Sequence, residues 1–481
     1  MTNLSGANLN NGAAVGPQGE GRDSPSSFPK YPAYKDSGVE WLGEVPEHWA
    51  EMPFFSLLSE RNEPNSGLKQ ENLLSLSYGR IVNKDINTLD GLLPASFETY
   101  QIVYPGDIVF RLTDLQNDKK SLRSAIVREA GIITSAYLAV VCRKILPAFA
   151  SHLFRAYDTL KVFYSMGGGL RQSMKYSDMK WLPIFLPNEQ EQTQIARFLD
   201  HETARIDALI EDQQCLIELL KEKRQAVISH AVTKGLDPSV PMKDSGVEWL
   251  GEVPAHWDIK RVKDVTLSFE QGWSPQCENQ PVESDAQPGV LKTGCVNGGV
   301  FRWRENKKLP EDLVLIPSLT VRADDLLVSR ANTRELVGSA AVPTVSYPNL
   351  MISDKIFRLR IDKKISDPRF LSFYLGGKFA RHEIELAATG ASSSMLNIGQ
   401  SAIANMFFPC PPVGEQETIV NRIVNETWKL LALAEDAIRL KELLQERRSA
   451  LISAAVTGKI DLRGWQPPAG MPAPAHEHET A

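Results

Sequence analysis

Two stretches of the chain place apolar residues at heptad-like spacing. In the first they are Ile195, Leu199, Ile206, Leu209, Leu216, Leu220 and Val227; in the second, Ile419, Ile423, Leu430, Leu433, Leu440, Leu444 and Leu451. A narrow apolar stripe kept up for forty-odd residues predicts a long helix that needs another helix against it. Gly and Pro are absent from both stretches until Gly235 and Gly458, which read as stop signals. The segments Glu191–Asp237 and Glu415–Asp461 align without a gap at an offset of 224, each opening Glu-Gln-x-x-Ile and closing Ile-Ser-x-Ala-Val-Thr. Equal lengths point to mutual pairing as a coiled coil, with two ordinary core helices as the plainer alternative. Before each helix comes a proline-bounded, strand-like run, "WLPIFLP" (Trp181–Pro187) and "MFFPCPP" (Met406–Pro412).

The blocks between have another texture. Residues 50–186 and 258–410 carry short β-branched or aromatic runs broken by Gly and Pro, such as "QIVYPGDIVFRL", "GIITSAYLAVV" and "KIFRLRI". Such runs predict mixed α/β (α+β) globular domains. The two blocks are barely alike, yet Asp107 in "GDIVFR" lines up with Asp325 in "DDLLVSR", and Ser135 with Ser353. Each block follows one fifteen-residue phrase, "KDSGVEWLGEVPEHW" at Lys35–Trp49 and "KDSGVEWLGEVPAHW" at Lys243–Trp257, which differ only at Glu47 and Ala255. Trp41, Trp49, Trp249 and Trp257 read as anchors seating each phrase on the helices. His48 and His256 read as packing or capping groups rather than catalysts. The plan is phrase, divergent domain and helix, stated twice. A duplicated chain forms a pseudo-two-fold object, and divergent domains within it suit two unlike half-sites on duplex DNA.

Composition adds boundaries. The chain has 481 residues, 42% hydrophobic and 23% charged, ample for several packed cores. No apolar run is long enough to span a membrane. Residues 1–30, rich in Gly, Asn, Ser and Pro, and residues 462–481, which include "PPAGMPAPAHEHETA", read as a leader and a tail without fixed structure. Five cysteines without a CxxC pair argue against a disulfide framework or zinc site and for a reducing, cytoplasmic setting. The net charge of −6 is unevenly spread. Residues 50–186 hold 16 Lys/Arg against 13 Asp/Glu, and residues 258–410 hold 19 against 17; residues 187–257 between them hold 7 against 13. The divergent blocks are thus slightly basic.

The duplicated phrases, the paired Pro-x-x-x-Glu-Gln-x-x-Ile helix starts, and the alternation of like helices with unlike domains make the chain resemble, over about residues 30–465, the specificity subunit of type I restriction-modification systems. The resemblance implies two target recognition domains, at 31–186 and 238–410 with their phrases, each reading one half of a gapped DNA sequence. It implies that the helices, within 187–237 and 411–461, pack antiparallel, set the spacing, and dock two modification (methyltransferase) subunits. Those partners would bind S-adenosylmethionine and methylate adenine; motor-nuclease (restriction) subunits would complete the complex, with ATP and Mg on partner subunits. No cofactor is expected on this chain, and no catalysis by it alone. The residues agree, since neither an Asn/Asp-Pro-Pro-aromatic stretch nor G-x-x-x-x-G-K-[ST] is present.

Base edges are best read by Arg or Lys at guanine and Asn or Gln at adenine, and phosphates take Lys, Arg, Ser, Thr and Tyr. In the first domain that singles out Tyr78, Arg80, Asn83 and Lys84, then Arg111, Gln116, Asn117, Lys119 and Arg123, then Arg171, Gln172, Lys175 and Tyr176. In the second it singles out Lys292, Asn297, Arg302 and Arg304, then Arg330, Asn332, Thr333 and Arg334, then Ser393, Ser394 and Asn397. Each alone fits solvated surface equally well; the clusters carry the suggestion. The "MGGGLRQS" stretch reads as a flexible DNA-facing or hinge loop, or as a plain turn. A coiled-coil adaptor whose domains bind proteins is the rival reading; it needs the helices and the repeat, but not the Asn- and Arg-rich loops.

Overall fold

A computed structural model describes residues 28–86, 96–113, 115, 122–166, 173–392 and 395–467. Two compact units emerge, one of residues up to Asp212 together with Leu440 onward, the other Gln213–Arg439. Both long helices are present, Glu189–Lys234 and Val413–Val456. They end at Gly235 and Gly458, whose positive φ of 76° and 72° closes a helix at little cost for glycine. Each helix contributes residues to both units.

Within the first unit, the phrase forms a hairpin, Tyr34–Asp36 against Glu44–Pro46. Strand Ala50–Pro53 pairs antiparallel with Pro183–Leu186, the "WLPIFLP" run, and so brackets the domain. Between them lie two four-stranded sheets. One has the order Arg80–Lys84, Leu73–Ser77, Gly131–Ile133, Gln101–Val103, with a parallel pair at its centre. The other runs Leu58–Glu60, Leu138–Cys142, Ile108–Phe110, Ser124–Ile126. Helix Pro147–Thr159 buries Phe149, Leu153, Phe154 and Tyr157 in the core.

The second unit repeats this topology from dissimilar sequence. Its hairpin is Met242–Asp244 with Glu252–Pro254, and its bracket is Asp258–Arg261 with Phe407–Cys410. One sheet runs Asn306–Lys308, Gly289–Leu291, Tyr347–Met351, Thr320–Val321, again with a central parallel pair. The other runs Thr266–Gln271, Ile356–Ile361, Leu326–Ser329, Ala340–Ala341. A third sheet is added here: Ala331–Asn332, Met395–Asn397, Thr389–Ser392. The Asp landmarks now have a physical reason. Asp107 takes the Tyr104 N–H at 2.9 Å and Asp325 takes the Arg322 N–H at 2.9 Å, each closing the turn that feeds a central strand. Both carboxylates are buried beside arginines, Arg61 in one unit and Arg358 and Arg360 in the other.

In each unit the start of one long helix shares a core with the end of the other: Ile195, Leu199 and Ile206 with Leu451, Ile452 and Ala455, and Ile419 and Ile423 with Ile228 and Val232. The apolar seam differs from the expected stripe. Leu209, Leu216, Leu433 and Leu440 are exposed, whereas Thr203, Ile217, Thr427 and Ala437 are buried. From Thr203 to Leu220, buried Thr203, Ile206, Ile217 and Leu220 and half-buried Ile210 and Gln213 follow a three-four spacing, and Leu209 and Leu216, one place out of step with it, face solvent. The expected boundaries of leader and tail also move. Phe28 packs edge-on against Phe198, Leu462 is buried, and Trp465 packs on Phe198 from a 5.3 Å centroid distance.

Candidate nucleic-acid interface

The repeated phrase is half of a joint that is also built twice. Asp36 accepts the Gly38 N–H at 2.9 Å and Asp244 the Gly246 N–H at 3.0 Å, giving the same turn in both phrases. Trp49 and Trp257 are almost wholly buried, and a buried indole N–H needs an acceptor. The Glu of each Glu-Gln helix start supplies it. Trp49 Nε1 donates to Glu191 Oε1 at 3.1 Å, and Trp257 Nε1 to Glu415 Oε1 at 3.0 Å. The other carboxylate oxygen faces His48 Nε2 at 2.9 Å and His256 Nε2 at 2.8 Å. In the first unit the Tyr31 hydroxyl adds a 2.6 Å bond to Glu191; burial first, then that carboxylate, pushes this phenol well above its ordinary pKa.

The neighbouring glutamines lock the domain to the same helix starts. Gln192 Oε1 takes the Leu146 N–H at 2.9 Å, and Gln416 Oε1 takes the Asp367 N–H at 2.8 Å. Leu146 and Asp367 each cap the helix that follows the second sheet. The far helix end closes the joint: Lys459 Nζ donates to Glu44 O at 2.6 Å, and Lys234 Nζ to Glu252 O. A shared frame thus holds each divergent domain by the same atoms. The Glu-Gln pair was visible in the sequence as a helix start, but its bonds to Trp and His were not.

On that frame the candidate reading residues are arranged differently. In the first unit, Tyr78 and Gly79 form a tight turn with φ of 45° and 74°, and Tyr78 is 77% exposed. The turn opens the edge strand Arg80–Lys84, from which Arg80, Asn83 and Lys84 face solvent. Arg155 donates to Gly79 O, while Arg80 lies 3.7 Å from Asp207 on the long helix, which also pairs with Arg448 at 2.8 Å. Burial first, then the Arg448 charge, lower the Arg155 guanidinium pKa to about 10. Arg111 is half-buried after its strand, and Lys175 is exposed at the start of helix Tyr176–Met179. Gln116, Asn117, Lys119, Arg171 and Gln172 lie outside the described residues, as does most of "MGGGLRQS". Two candidates are corrected. Arg123 is fully buried and donates to Thr113 O at 2.9 Å, and the Tyr176 hydroxyl donates to Leu58 O at 2.7 Å; both side chains serve the fold.

The second unit gathers its candidates. Asn332 Nδ2 donates to Asn297 Oδ1 at 3.2 Å, and Arg302 Nη1 donates to Asn297 O. Strand Ala331–Asn332 pairs with Met395–Asn397, setting Asn397 across from Ala331. Arg330 precedes this strand, and its carbonyl takes the Ile398 N–H at 2.9 Å. Thr333 and Arg334 follow in the exposed turn, whose Arg334 carbonyl is held by Arg381 Nη2 at 3.1 Å. Lys292 begins the loop and donates its N–H to Glu305 O at 2.8 Å; Arg304 lies exposed over the Trp303 ring at 5.2 Å. Asn297, Arg302 and Asn332 are thus brought together, and Asn397 lies on the same small sheet as Asn332. Ser393 and Ser394 lie outside the described residues. Among the described residues, no group of three His, Cys, Asp or Glu is placed to hold a metal ion, and no helix is long and apolar enough to cross a membrane.

No family model matches the chain. It is 27% identical over 208 residues to the type I restriction enzyme EcoEI specificity subunit of Escherichia coli, an alignment covering 43% of this chain and 35% of that one. The chain thus spans about a third of that relative's length in the alignment. It is 22% identical over 444 residues to the putative type I restriction enzyme MjaX specificity subunit of Methanocaldococcus jannaschii, covering 88% of this chain and 96% of that one. It shares its fold, at TM-score 0.60 and 16% identity, with a chain solved in work on complex assembly and conformational transition of the type I R-M system; the match takes in 86% of this chain and 98% of that one.

Proposed function

We propose, for a chain that belongs to the family of type I restriction-modification specificity subunits, that it is the sequence-specific DNA-binding subunit of such a complex. Each divergent domain reads one half of a gapped target. The long helices pair antiparallel, set the spacing, and dock two methyltransferase subunits. Catalysis, with S-adenosylmethionine, ATP and Mg, resides in the modification and motor-nuclease partners. The observation that carries this reading is one frame presenting two unlike sets of loops. The Glu191 and Glu415 joints share their Trp and His bonds, while the exposed polar residues above them differ in kind and placement. A protein that needed one binding surface in two copies would have repeated the loops as well.

The helices support the docking part. Val424 and Trp428, one helical turn apart, are exposed on the second long helix, Trp428 by 71%. Large apolar side chains left exposed on one face of a helix suit a protein interface. The test is DNA retention by the chain with its modification partner across a salt series, together with methylome sequencing of the host. Sequence-dependent, salt-sensitive retention and a bipartite methylated motif are expected. Retention independent of sequence, or a continuous motif, would overturn the reading and favour the protein-binding adaptor.

A further inference from the structure

The loop that gathers the second domain's candidates is itself held from outside that domain. Gly298 and Gly299 both have positive φ, 72° and 74°, so the turn is tight and its residues are exposed or half-buried. Arg302 reaches across its own loop to Asn297 O, and Asn332 holds the Asn297 side chain. A further bond comes from the long helix Glu189–Lys234: Arg224 Nη2 donates to Gly298 O at 3.0 Å. Gln225 and Ser229 on the same helix also hold the domain. They bond Gly376 O at 2.6 Å and the Lys378 N–H at 2.9 Å, both at the corner between two short helices. Of these three clasps, Arg224 is the one that reaches the reading loop.

The duplicate shows what this arginine does elsewhere. Arg448 occupies the matching place, 224 residues on, and in the first unit it is spent on Asp207 at 2.8 Å. In the second unit the place matching Asp207 is Leu431, so that carboxylate is missing. Arg224 instead turns to a backbone carbonyl beside Arg302. Burial first, then the Arg302 charge, lower the pKa of its guanidinium. A half-buried cation set beside a like charge is costly to keep, and the carbonyl bond offsets that cost only while the loop stays in place.

From this geometry we propose that Arg224, on the spacer helix, is a positioning residue for the second half-site: it fixes the Asn297–Arg302 loop at the height from which its side chains read bases. This rests on the DNA-reading function proposed above. Base readout by Asn and Arg depends on paired hydrogen bonds of defined direction, so a loop free to shift loses discrimination before it loses general affinity. The specificity of the second half is then not wholly contained in residues 258–410.

The test uses the full chain in complex with its modification partner. Oligonucleotides carry the methylated target, or that target with one base changed in either half. Arg224→Ala and Arg224→Gln should each lower discrimination at one or more second-half positions by roughly 10-fold, since a mismatched base pair carries about that much or more. Gln is a good helix former but falls short of Gly298, so it provides a folded variant if Ala does not. Arg224→Lys, with similar reach, should keep discrimination within about threefold of wild type. First-half discrimination and the slope of affinity against salt should not change. Full second-half discrimination in R224A and R224Q would overturn the proposal. So would a shallower salt slope with intact discrimination, which would make Arg224 a phosphate contact. Loss in both halves alike would mark a general structural role and also overturn it. A wild-type complex without preference in either half would instead refute the DNA-reading function itself.

Discussion

Removing the carboxylate from each joint provides a comparison that the duplication makes internal. Glu191 is 3% exposed at its side chain and accepts from Tyr31, Trp49 and His48. Glu191→Ala leaves the Tyr31 hydroxyl and the Trp49 indole N–H, both buried, without an acceptor. A buried donor stripped of its partner costs about 1–3 kcal/mol, so two cost about 3–5 kcal/mol after some relaxation. Glu415 is 32% exposed and accepts from Trp257 and His256, with no counterpart of the Tyr31 bond. Water can replace much of what Glu415→Ala removes, so the loss there is about 1–2 kcal/mol. The assay is hydrogen exchange across a urea series, read in segments 31–53 and 242–261, which report the two joints separately. At a urea slope of about 2 kcal/mol per molar, E191A should move the opening of its joint by roughly 1.5–2.5 M and E415A by under about 1 M. Glu191→Gln, which keeps an acceptor for the indole, should fall between E191A and wild type. Equal shifts, or a larger one for E415A, would refute the assignment of these carboxylates as unequally buried acceptors.

Replacing Arg302 and Arg304 together with Ala should weaken binding to target DNA in the partner complex by about 1–3 kcal/mol while leaving the melting temperature nearly unchanged; unaltered affinity would remove both from the interface. Exchanging residues 258–410 for the matching block of another family member should alter one half of the methylated motif, and methylome sequencing that finds both halves altered would defeat the modular reading. The purified chain alone should transfer no labelled methyl group to DNA; turnover in a preparation free of partner subunits would contradict the assignment of catalysis elsewhere.

The long helices were readable in the sequence almost to the residue, because an unbroken polar-apolar pattern and a terminal glycine are local signals. The strand runs were readable for the same reason. The seam register was not. Leu209 and Leu216 are as apolar as Ile206 and Ile217, and only packing tells the inward position from its neighbour. These helices carry more leucines than their own seam needs. The Asp107 and Asp325 landmarks marked a real equivalence, but one of turn closure rather than chemistry. Arg123 failed as a candidate because an arginine in a basic run looks the same in sequence whether it is exposed or buried among backbone carbonyls. Arg224 was passed over for the opposite reason. Within "KEKRQA" it reads as one more solvated helix charge, and only its contact with Gly298, 74 residues away, separates it from Lys221 and Lys223.

The way the joints are closed bears on the order in which the protein is made. The second unit is one continuous piece, Gln213–Arg439, and all of it has been synthesised before residue 440 is added. The first unit begins earlier but is finished later, because its core includes Leu451, Ile452, Val456, Ile460 and Leu462, and Asp461 donates its N–H to Pro29 O at 2.7 Å. Synthesis from the N-terminus therefore produces the first domain's sheets well before the strip of helix that covers them. A ribosome that stalls before residue 450 would release a chain with a completed second unit and an open apolar face on the first. Such a chain is marked for chaperones or proteases by the exposed face itself, so an incomplete chain becomes a target for removal.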